Sequence, residues 1–267
     1  MLEIYKFTSM STPCEVKLYS DNKLLSDNCA KEIMYECKRL EEKYNYYDNN
    51  SFLSKLNNRI TNLLDSETKS LLSSAKQYYK KTNGIFDITI ITVKENNSLK
   101  DYVGCNNFNI KKNKLYFTNE YTKLDLGGFV KEYSVNQAIK IIKKYKIKSA
   151  LVNFGGDIYA LGHKPNGSKF SIAITNPKDN TKTLFNIEIS NQSLTTSALY
   201  ERIGHIQSLE KLNSEILSVT VVSNCTIKSG VYSTSYMISQ DIKTSCDVYK
   251  ITNELKVVKN ENIISRG

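Results

Sequence analysis

The 267-residue sequence contains few of the patterns that mark structural metal sites, secreted proteins or membrane proteins. It has two histidines and six cysteines, and the cysteines form no CxxC pair and no Cys/His spacing typical of a metal centre. We therefore expect reduced, mostly buried thiols. The amino-terminal stretch shows no charged segment followed by an apolar one, so it gives no sign of a secretion signal. No apolar run approaches the length that spans a membrane, and we expect a cytoplasmic protein.

The sequence also has no dense block of basic residues, although its net charge is +10 from 37 basic and 27 acidic residues. A basic surface favours anionic partners such as nucleotides, acidic proteins or nucleic acid. The lysines are spread along the chain, which is more typical of a solvated surface. No basic run belongs to a recognisable nucleic-acid module, so we expect no nucleic-acid partner.

Hydrophobic patterning predicts helices and strands without a regular βαβ alternation, which favours an α+β fold over a doubly wound sheet. We predict helices over 24–44, 65–84, 127–146 and 229–239, and a short helix or turn over 49–59. The helix over 65–84 would be capped by Ser66, and the helix over 127–146 would be the longest. We predict a hairpin over 108–118 and strand or extended structure over 11–20, 86–92, 149–154, 157–162, 169–174, 184–190, 193–197, 217–222, 248–252 and 254–258. No repeat or linker divides the chain, so we expect a single domain over residues 1–267.

Two paired glycines stand in "KLDLGGFVKEYSVNQA", residues 123–138, between a predicted strand and a predicted helix. A helix start exposes free N–H groups and the positive end of the helix dipole, which suits phosphate oxygens. Gly127 and Gly128 would let a ligand approach the backbone closely. Asp125 could orient a ribose, a base or an acceptor group. By itself, such a joint is more often only a tight turn.

Three further segments combine a glycine with a nearby acidic residue or histidine. "LVNFGGDIYALG", residues 151–162, places Gly155-Gly156-Asp157 between two strands, where a β-bulge or hairpin turn is the simpler interpretation. In "TNGIFDITI", residues 82–90, Asp87 follows the end of a helix. "TTSALYERIGHI", residues 195–206, contains His205, one of the two histidines.

Six blocks in the right order resemble the FAD:protein FMN transferases, the ApbE-type flavin transferases. The blocks read FTSMSTPCEVKLY, YDNNSFLSKLN, TNGIFDITI, LDLGGFVKEYSVNQA, ALVNFGGDIYALG and TSALYER. The resemblance runs from about Phe7 to Ser239 and so covers nearly the whole chain. It implies an α+β architecture related to the T-fold, with mixed and antiparallel sheets flanked by helices. The single domain would then be a two-lobed unit with the FAD cleft between its lobes.

Members of this family split the pyrophosphate of FAD, attach the FMN half through a phosphoester to a Ser or Thr of a target protein, and release AMP. The resemblance therefore implies FAD as substrate, an acceptor protein as partner and a divalent cation, usually Mg²⁺, at the phosphates. The assembly would be a monomer or a homodimer. Carried over by position, the implied catalytic residues are His205 and Lys131, and the implied metal ligands come from Thr234, the Val130 carbonyl and the position of Gly230. The implied FAD-contacting residues are Met10, Ser51, Phe52, Leu53, Asp87, Asp125, Gly127, Gly128, Lys131, Gly155, Gly156, Asp157 and Ser197.

Several of these residues also have ordinary structural interpretations. Asp87 and Asp125 are typical of turn or capping acids, and without the resemblance that interpretation would be favoured. Lys131 could be one more surface lysine, and a lone histidine such as His205 is more often a satisfied core or loop residue.

The sequence departs from the family pattern mainly near its C-terminal end. The family's metal helix carries an Asp and a Thr four residues apart, on one helix face. Here Thr234 is kept, but Gly230 stands in place of the Asp, and Glu132 follows Lys131 where glycine is common. The family's Asp-Pro after the histidine is also lost.

Three outcomes follow from the missing carboxylate. The remaining groups would hold the cation more weakly, another acid such as Glu132 or Asp157 would replace it in space, or the protein would bind FAD without turning it over. An active transferase is favoured. A non-catalytic flavin-binding or protein-binding homologue and an FAD pyrophosphatase remain the alternatives.

Overall fold

An antiparallel sheet of nine strands forms the centre of the computed structural model, which describes residues 1–94, 96–198, 209 and 214–264. The described strands are β1 (Leu2–Ser9), β2 (Thr12–Tyr19), β3 (Phe108–Lys111), β4 (Lys114–Phe117), β5 (Ser149–Phe154), β6 (Asp157–Leu161), β7 (Phe170–Asn176), β8 (Asp179–Ile189), β9 (Gln192–Ala198), β10 (Ile216–Ser223), β11 (Asp247–Thr252), β12 (Val257–Lys259) and β13 (Asn262–Ile264). The sheet order is β1-β2-β5-β6-β9-β10-β11-β12-β13, and two hairpins, β3-β4 and β7-β8, stand apart from it.

Five α-helices accompany these strands in the described residues: α1 (Lys23–Tyr44), α2 (Phe52–Asn57), α3 (Ser66–Lys81), α4 (Gly127–Lys144) and α5 (Thr226–Ile238). Short 3-10 helices span Ile90–Val93, Asn97–Tyr102 and Cys105–Asn107. None of the described helices combines the length and the apolar character that a membrane span requires.

The strands place one face of the sheet against helices and the other against the β7-β8 hairpin. Alternation along β5 illustrates this, because Val152 and Phe154 pack with α1 and α4 while Leu151 joins the hairpin core. Helix α5 packs on β9 and β10, with Met237 fully buried. A further core lies among α2, α3, the start of α4 and the β3-β4 hairpin, around Phe108. A cavity lies where that core meets the sheet.

The α+β class and most predicted elements are confirmed, including the β3-β4 hairpin with its turn at Lys112-Asn113. All pairings between the described strands are antiparallel, so the sheets are antiparallel and not mixed. Strand β1 was not predicted, although it pairs with the whole length of β2. Helix α1, with 22 residues, is longer than α4, with 18.

Two local predictions are wrong for identifiable reasons. The apolar run over 86–92 is a turn followed by the 3-10 helix Ile90–Val93, because Asp87 accepts hydrogen bonds from the Thr89 amide and hydroxyl and closes the chain on itself. Helix α3 is capped by Asp65, whose side chain accepts from the Thr68 amide, and Ser66 is its first residue. Both aspartates offered the backbone a local acceptor that periodicity does not reveal.

Two tight hairpin turns lie next to each other at one end of the sheet. Met10 and Ser11 join β1 to β2 with positive φ angles of 51° and 54°, and Gly155 and Gly156 join β5 to β6 with φ of 58° and 92°. The hairpin interpretation of the Gly155-Gly156 segment is therefore confirmed. The Gly155 amide donates to the Pro13 carbonyl at 2.9 Å, which ties the two turns together because β2 and β5 are paired.

Candidate functional site

A cavity of about 600 Å³ opens where the turns, the start of α4, strand β9 and helix α5 converge. Its size is within the range of about 300–1,000 Å³ that is usual for small-molecule sites. Its wall also includes the end of α1, the following loop and the segment around Asp87. Many of the residues implied by the resemblance line this one cavity: Met10, Asp87, Asp125, Gly127, Gly128, Val130, Lys131, Gly155, Asp157, Ser197 and Thr234.

The paired hairpin turns form one side of the cavity. Gly155 is required there, since a Cβ at its position would lie 2.0 Å from the Thr12 Cγ2 atom. Met10, in the adjacent β1-β2 turn, is partly buried and packs against the apolar core around Phe108. Glycine at position 155 therefore allows the two turns to pack closely against each other.

The amino-terminal end of α4 forms a second side. Gly127 and Gly128 are exposed and open the helix, with Asp125 accepting a hydrogen bond from the Gly127 amide at 2.8 Å. Leu126, the N-cap residue, makes no side-chain capping bond. A Cβ at Gly128 would contact nothing within 4 Å, so the cavity reaches the backbone of this first helical turn without obstruction. This end of the helix is suited to an anionic group.

Residues 51–58 support that helix start from behind. Ser51 caps α2 by accepting from the Ser54 amide, and Leu53 is fully buried in the core. Asn57 holds the strand-like segment before α4 through two hydrogen bonds of 2.8 Å with the backbone of Leu124. The cavity wall does not include Ser51, Phe52 or Leu53, so the structure gives these residues a packing and capping position and does not bring them to the ligand space.

Asp87 reaches the cavity from the other side. Its carboxylate accepts bonds of 2.8 Å from the amide and hydroxyl of Thr89 and a longer one from the thiol of Cys105. Burial raises its pKa, and these three bonds partly oppose that rise. Asp87 therefore forms a turn, as the sequence suggested, and also lines the cavity.

Lys131 and Asp157 form an ion pair in the wall, with 2.8 Å between Lys131 Nζ and Asp157 Oδ2. Asp157 is 2% exposed and Lys131 is 18% exposed. Asp157 begins β6 directly after the glycine turn and is paired in register with Thr195 on β9. Lys131 on α4 and Asp157 of the Gly155-Gly156-Asp157 segment therefore act as a pair. The sequence alone did not predict that these two residues are in contact.

Helix α5 meets strand β9 through a row of hydroxyl groups. Ser197 Oγ lies 2.9 Å from Ser233 Oγ and 3.2 Å from Thr234 Oγ1, and Thr195 Oγ1 lies 3.2 Å from Ser229 Oγ. This row presents Thr234 and Ser197 to the cavity. Gly230 is buried one helical turn before Thr234 and does not line the cavity, and the Glu132 side chain of α4 lies against it.

The other two implied positions are Gly156 and His205. Gly156 completes the hairpin turn but is not part of the cavity lining. His205, the implied base, lies outside the described residues.

Sequence reasoning missed the aromatic lining of the cavity, which comprises Tyr44, Tyr46, Tyr47, Phe86 and Phe129. Tyr47 is 72% exposed, and Lys94 Nζ donates to its hydroxyl at 2.7 Å. Such rings offer flat apolar surfaces to a planar ligand. In a sequence with 18 tyrosines, no local signal separates those on the wall from the others.

The described part of the wall carries more acidic than basic groups. Five carboxylates line it (Glu41, Asp87, Asp125, Glu132 and Asp157), against the two lysines Lys94 and Lys131. This excess contrasts with the positive net charge of the whole chain. Among the described residues, no group of three or more His, Cys, Asp or Glu side chains could hold a metal ion alone, so a cation here would also need hydroxyl and ligand oxygens.

A family model described as the ApbE family matches residues 10–255 of the chain. A curated relative, the FAD:protein FMN transferase of Klebsiella pneumoniae (strain 342), is 26% identical over 157 residues, which are 53% of this chain. The match spans about half of that relative, 48% of its length.

Two solved structures share the fold over nearly their full lengths. The ApbE protein of Thermotoga maritima superposes with a TM-score of 0.86 at 19% identity, covering 98% of this chain and 97% of the other. The flavin transferase ApbE of Vibrio cholerae gives 0.84 at 18% identity, covering 99% and 96%. At these identities the likeness concerns the fold.

Proposed function

The chain belongs to the ApbE family, and from this premise we propose that it is an FAD:protein FMN transferase. It would cleave FAD between its two phosphates, join FMN through a phosphoester to a Ser or Thr of an acceptor protein, and release AMP. The observation that carries the proposal is the convergence of the α4 start, the Lys131–Asp157 pair and Thr234 on one cavity.

The cavity offers what each part of FAD requires. The open first turn of α4 suits phosphate oxygens, because Gly127 and Gly128 leave its backbone exposed and the helix dipole favours negative charge there. The rings of Tyr46 and Tyr47, with their centroids 5.4 Å apart, offer surfaces for a flavin or an adenine. Asp125, next to the glycine pair, would orient a hydroxyl or ring nitrogen of the ligand.

The transfer step is a displacement at the phosphorus of the FMN half. The acceptor hydroxyl oxygen forms the new P–O bond, the bond from that phosphorus to the bridging oxygen breaks, and AMP leaves with that oxygen. The hydroxyl proton passes to a base, for which His205 is the candidate. Lys131 would place its positive charge beside the phosphates, and Asp157 would hold it in position.

The residues present fit a divalent cation at the phosphates. FAD brings negative charge to a wall that already has five carboxylates among its described residues, so its binding calls for added positive charge. Glu132 has a buried carboxylate oxygen, Oε2, without a hydrogen-bond partner among the described residues, and Thr234 offers a hydroxyl. Mg²⁺ held there would neutralise charge that builds on the leaving phosphate oxygen.

The test is incubation of the purified protein with FAD and Mg²⁺, with and without a candidate acceptor protein. A transferase releases AMP and forms a covalent flavin adduct only when the acceptor is present. AMP and FMN formed equally without an acceptor would indicate an FAD pyrophosphatase instead. If FAD binds but no AMP appears with any divalent cation, the protein is a flavin-binding member of the family and the transferase proposal is wrong.

A further inference from the structure

Helices α4 and α5 pack against each other beside the cavity, and Gly230 lies where they meet. A Cβ at Gly230 would lie 2.6 Å from Glu132 Cγ, 2.7 Å from Glu132 Oε1 and 3.0 Å from Glu132 Cδ. Contacts between carbon atoms this short do not occur in stable packing. The side chain of Glu132 therefore occupies the space in which any side chain at position 230 would begin.

Glu132 is in an unusual state for a carboxylate that faces a protein interior. The residue is 5% exposed, and its Oε2 atom has no hydrogen-bond partner among the described residues. A buried acid left in this way is costly to the folded state, which indicates that it serves a ligand.

The groups around this carboxylate are oxygen donors on the same cavity wall. Thr234 follows Gly230 by four residues on α5 and so lies on the same helix face. Asp157 also lines the cavity, in an ion pair with Lys131, the residue that precedes Glu132 on α4. Carboxylate and hydroxyl oxygens are the ligands that Mg²⁺ and Mn²⁺ prefer.

We propose that Glu132 supplies the metal-binding carboxylate of this cavity, reaching from α4 into the space that Gly230 leaves on α5, with Thr234 as its hydroxyl partner. The acid is then on α4 instead of α5, and the absence of a side chain at position 230 leaves the space that it occupies. The site rests on the proposed function in that the cation would serve the phosphates of FAD. The two changes, Glu at 132 and Gly at 230, form one compensated pair.

The test measures binding of Mn²⁺ by electron paramagnetic resonance, with the protein alone and with FAD added, in four proteins. Wild type binds Mn²⁺, and Glu132→Gln, which keeps the shape of the side chain, binds it at least about 10-fold more weakly. Gly230→Asp alone gains no affinity and lowers the melting temperature, because its Cβ meets Glu132. Glu132→Gly combined with Gly230→Asp recovers Mn²⁺ binding to within a few fold of wild type, a non-additive result expected only of two sites that share one space.

Glu32→Gln is the matched control for loss of one negative charge, since Glu32 is on α1 in an ion pair with Lys144 and does not line the cavity. Its Mn²⁺ affinity should equal that of wild type. The proposal is overturned if wild type binds no Mn²⁺ in either condition or if Glu132→Gln binds like wild type. It is also overturned if the double variant folds normally but fails to recover binding.

This outcome is separable from that of the transferase proposal. Mn²⁺ binding that depends on Glu132, without AMP release by wild type, would leave the metal site standing and refute the transferase. AMP release by wild type, with unchanged Mn²⁺ binding in Glu132→Gln, would do the reverse.

Discussion

At the scale of single residues, the ion pair of Lys131 and Asp157 compensates one of the five carboxylates on the described part of the cavity wall. Asp157 is almost fully buried, and its charge is tolerated because the ammonium of Lys131 lies 2.8 Å away. Removal of one partner from a buried pair leaves the other charge uncompensated, which costs more than the pair itself contributes.

We therefore expect Lys131→Met to lower the free energy of unfolding by about 3 kcal/mol, because Asp157 then remains buried beside Glu132 without its counter-ion. Adding Asp157→Asn to that variant should recover much of the loss. Urea denaturation measures both, with Lys140→Met, an exposed lysine on the same helix, as control. Equal stability of Lys131→Met and wild type would show that the ion pair does not hold the wall together.

Tyr47 is the residue on which ring stacking can be tested with little risk to the fold. We expect Tyr47→Ala to weaken FAD binding about 10-fold, since loss of one stacked ring typically costs a ligand about 1–3 kcal/mol. The melting temperature should not change, because the side chain is 72% exposed. FAD titration followed by flavin fluorescence measures the affinity.

Tyr35→Ala is the matched control, because Tyr35 is also 72% exposed but is on α1, away from the cavity lining. If both tyrosine variants bind FAD like wild type, the ligand rings lie elsewhere in the cavity.

At the scale of elements, Glu67 fixes the helices that carry the cavity. It is in the first turn of α3 and accepts hydrogen bonds from Arg39 and Lys43 of α1 and from Tyr133 of α4. Burial would raise the pKa of Glu67, but the bonds from Arg39 and Lys43 outweigh it and lower the pKa from about 4.5 to about 2. Three helices thus meet at one ionised carboxylate.

Because the pKa of Glu67 is lower in the folded state, its stabilising contribution is complete above about pH 4.5 and is lost as the pH falls toward about 2. We expect Glu67→Gln to cost about 1.5–3 kcal/mol of unfolding free energy near neutral pH, and the difference from wild type to shrink below about pH 4.5. Unfolding curves at several pH values test this.

Glu42→Gln provides the comparison, because Glu42 forms an exposed pair with Lys38 that should contribute less than about 1 kcal/mol at any pH. A penalty for Glu67→Gln that stays constant down to acidic pH would contradict the assignment of its effect to charge.

At the scale of the whole molecule, the charge of the cavity opposes the charge of the chain. A protein with a net charge of +10 places five carboxylates and two lysines among the described residues of its cavity wall. Long-range attraction would bring an anionic dinucleotide to the surface, and a cation would be needed to seat its phosphates.

We expect FAD with Mg²⁺ to raise the melting temperature by about 5–10 °C at a FAD concentration about 100 times the Kd, from mass action on the folded state. FAD with a chelator should raise it much less, because the carboxylates then repel the phosphates. Differential scanning calorimetry measures both shifts. Equal shifts with and without Mg²⁺ would mean that the two lysines and the α4 amides suffice for the phosphates.

Much of the site was predictable because turns and helix starts have local signals. The glycines at 127–128 and 155–156 mark two places where the backbone is open or has positive φ, and these signals are in adjacent residues. The 3-10 helix after Asp87 was not predicted, because the hydrogen bonds that one side chain accepts bend a segment whose apolar run is typical of a strand. The sequence named Glu132 only as one of two acids that could replace the missing carboxylate, and only packing shows that its side chain fills the space beside Gly230.

The sequence by itself determined the α+β class, the order of most elements and the family resemblance, because periodicity, caps and glycine turns are properties of neighbouring residues. Only the tertiary structure decided which tyrosines face the cavity, that Lys131 pairs with Asp157, and that Ser51–Leu53 support the α4 start from behind. Only the tertiary structure, again, placed the carboxylate of Glu132 against the bare backbone of Gly230. These are relations between separate elements, and they depend on the volume and charge that packing brings together.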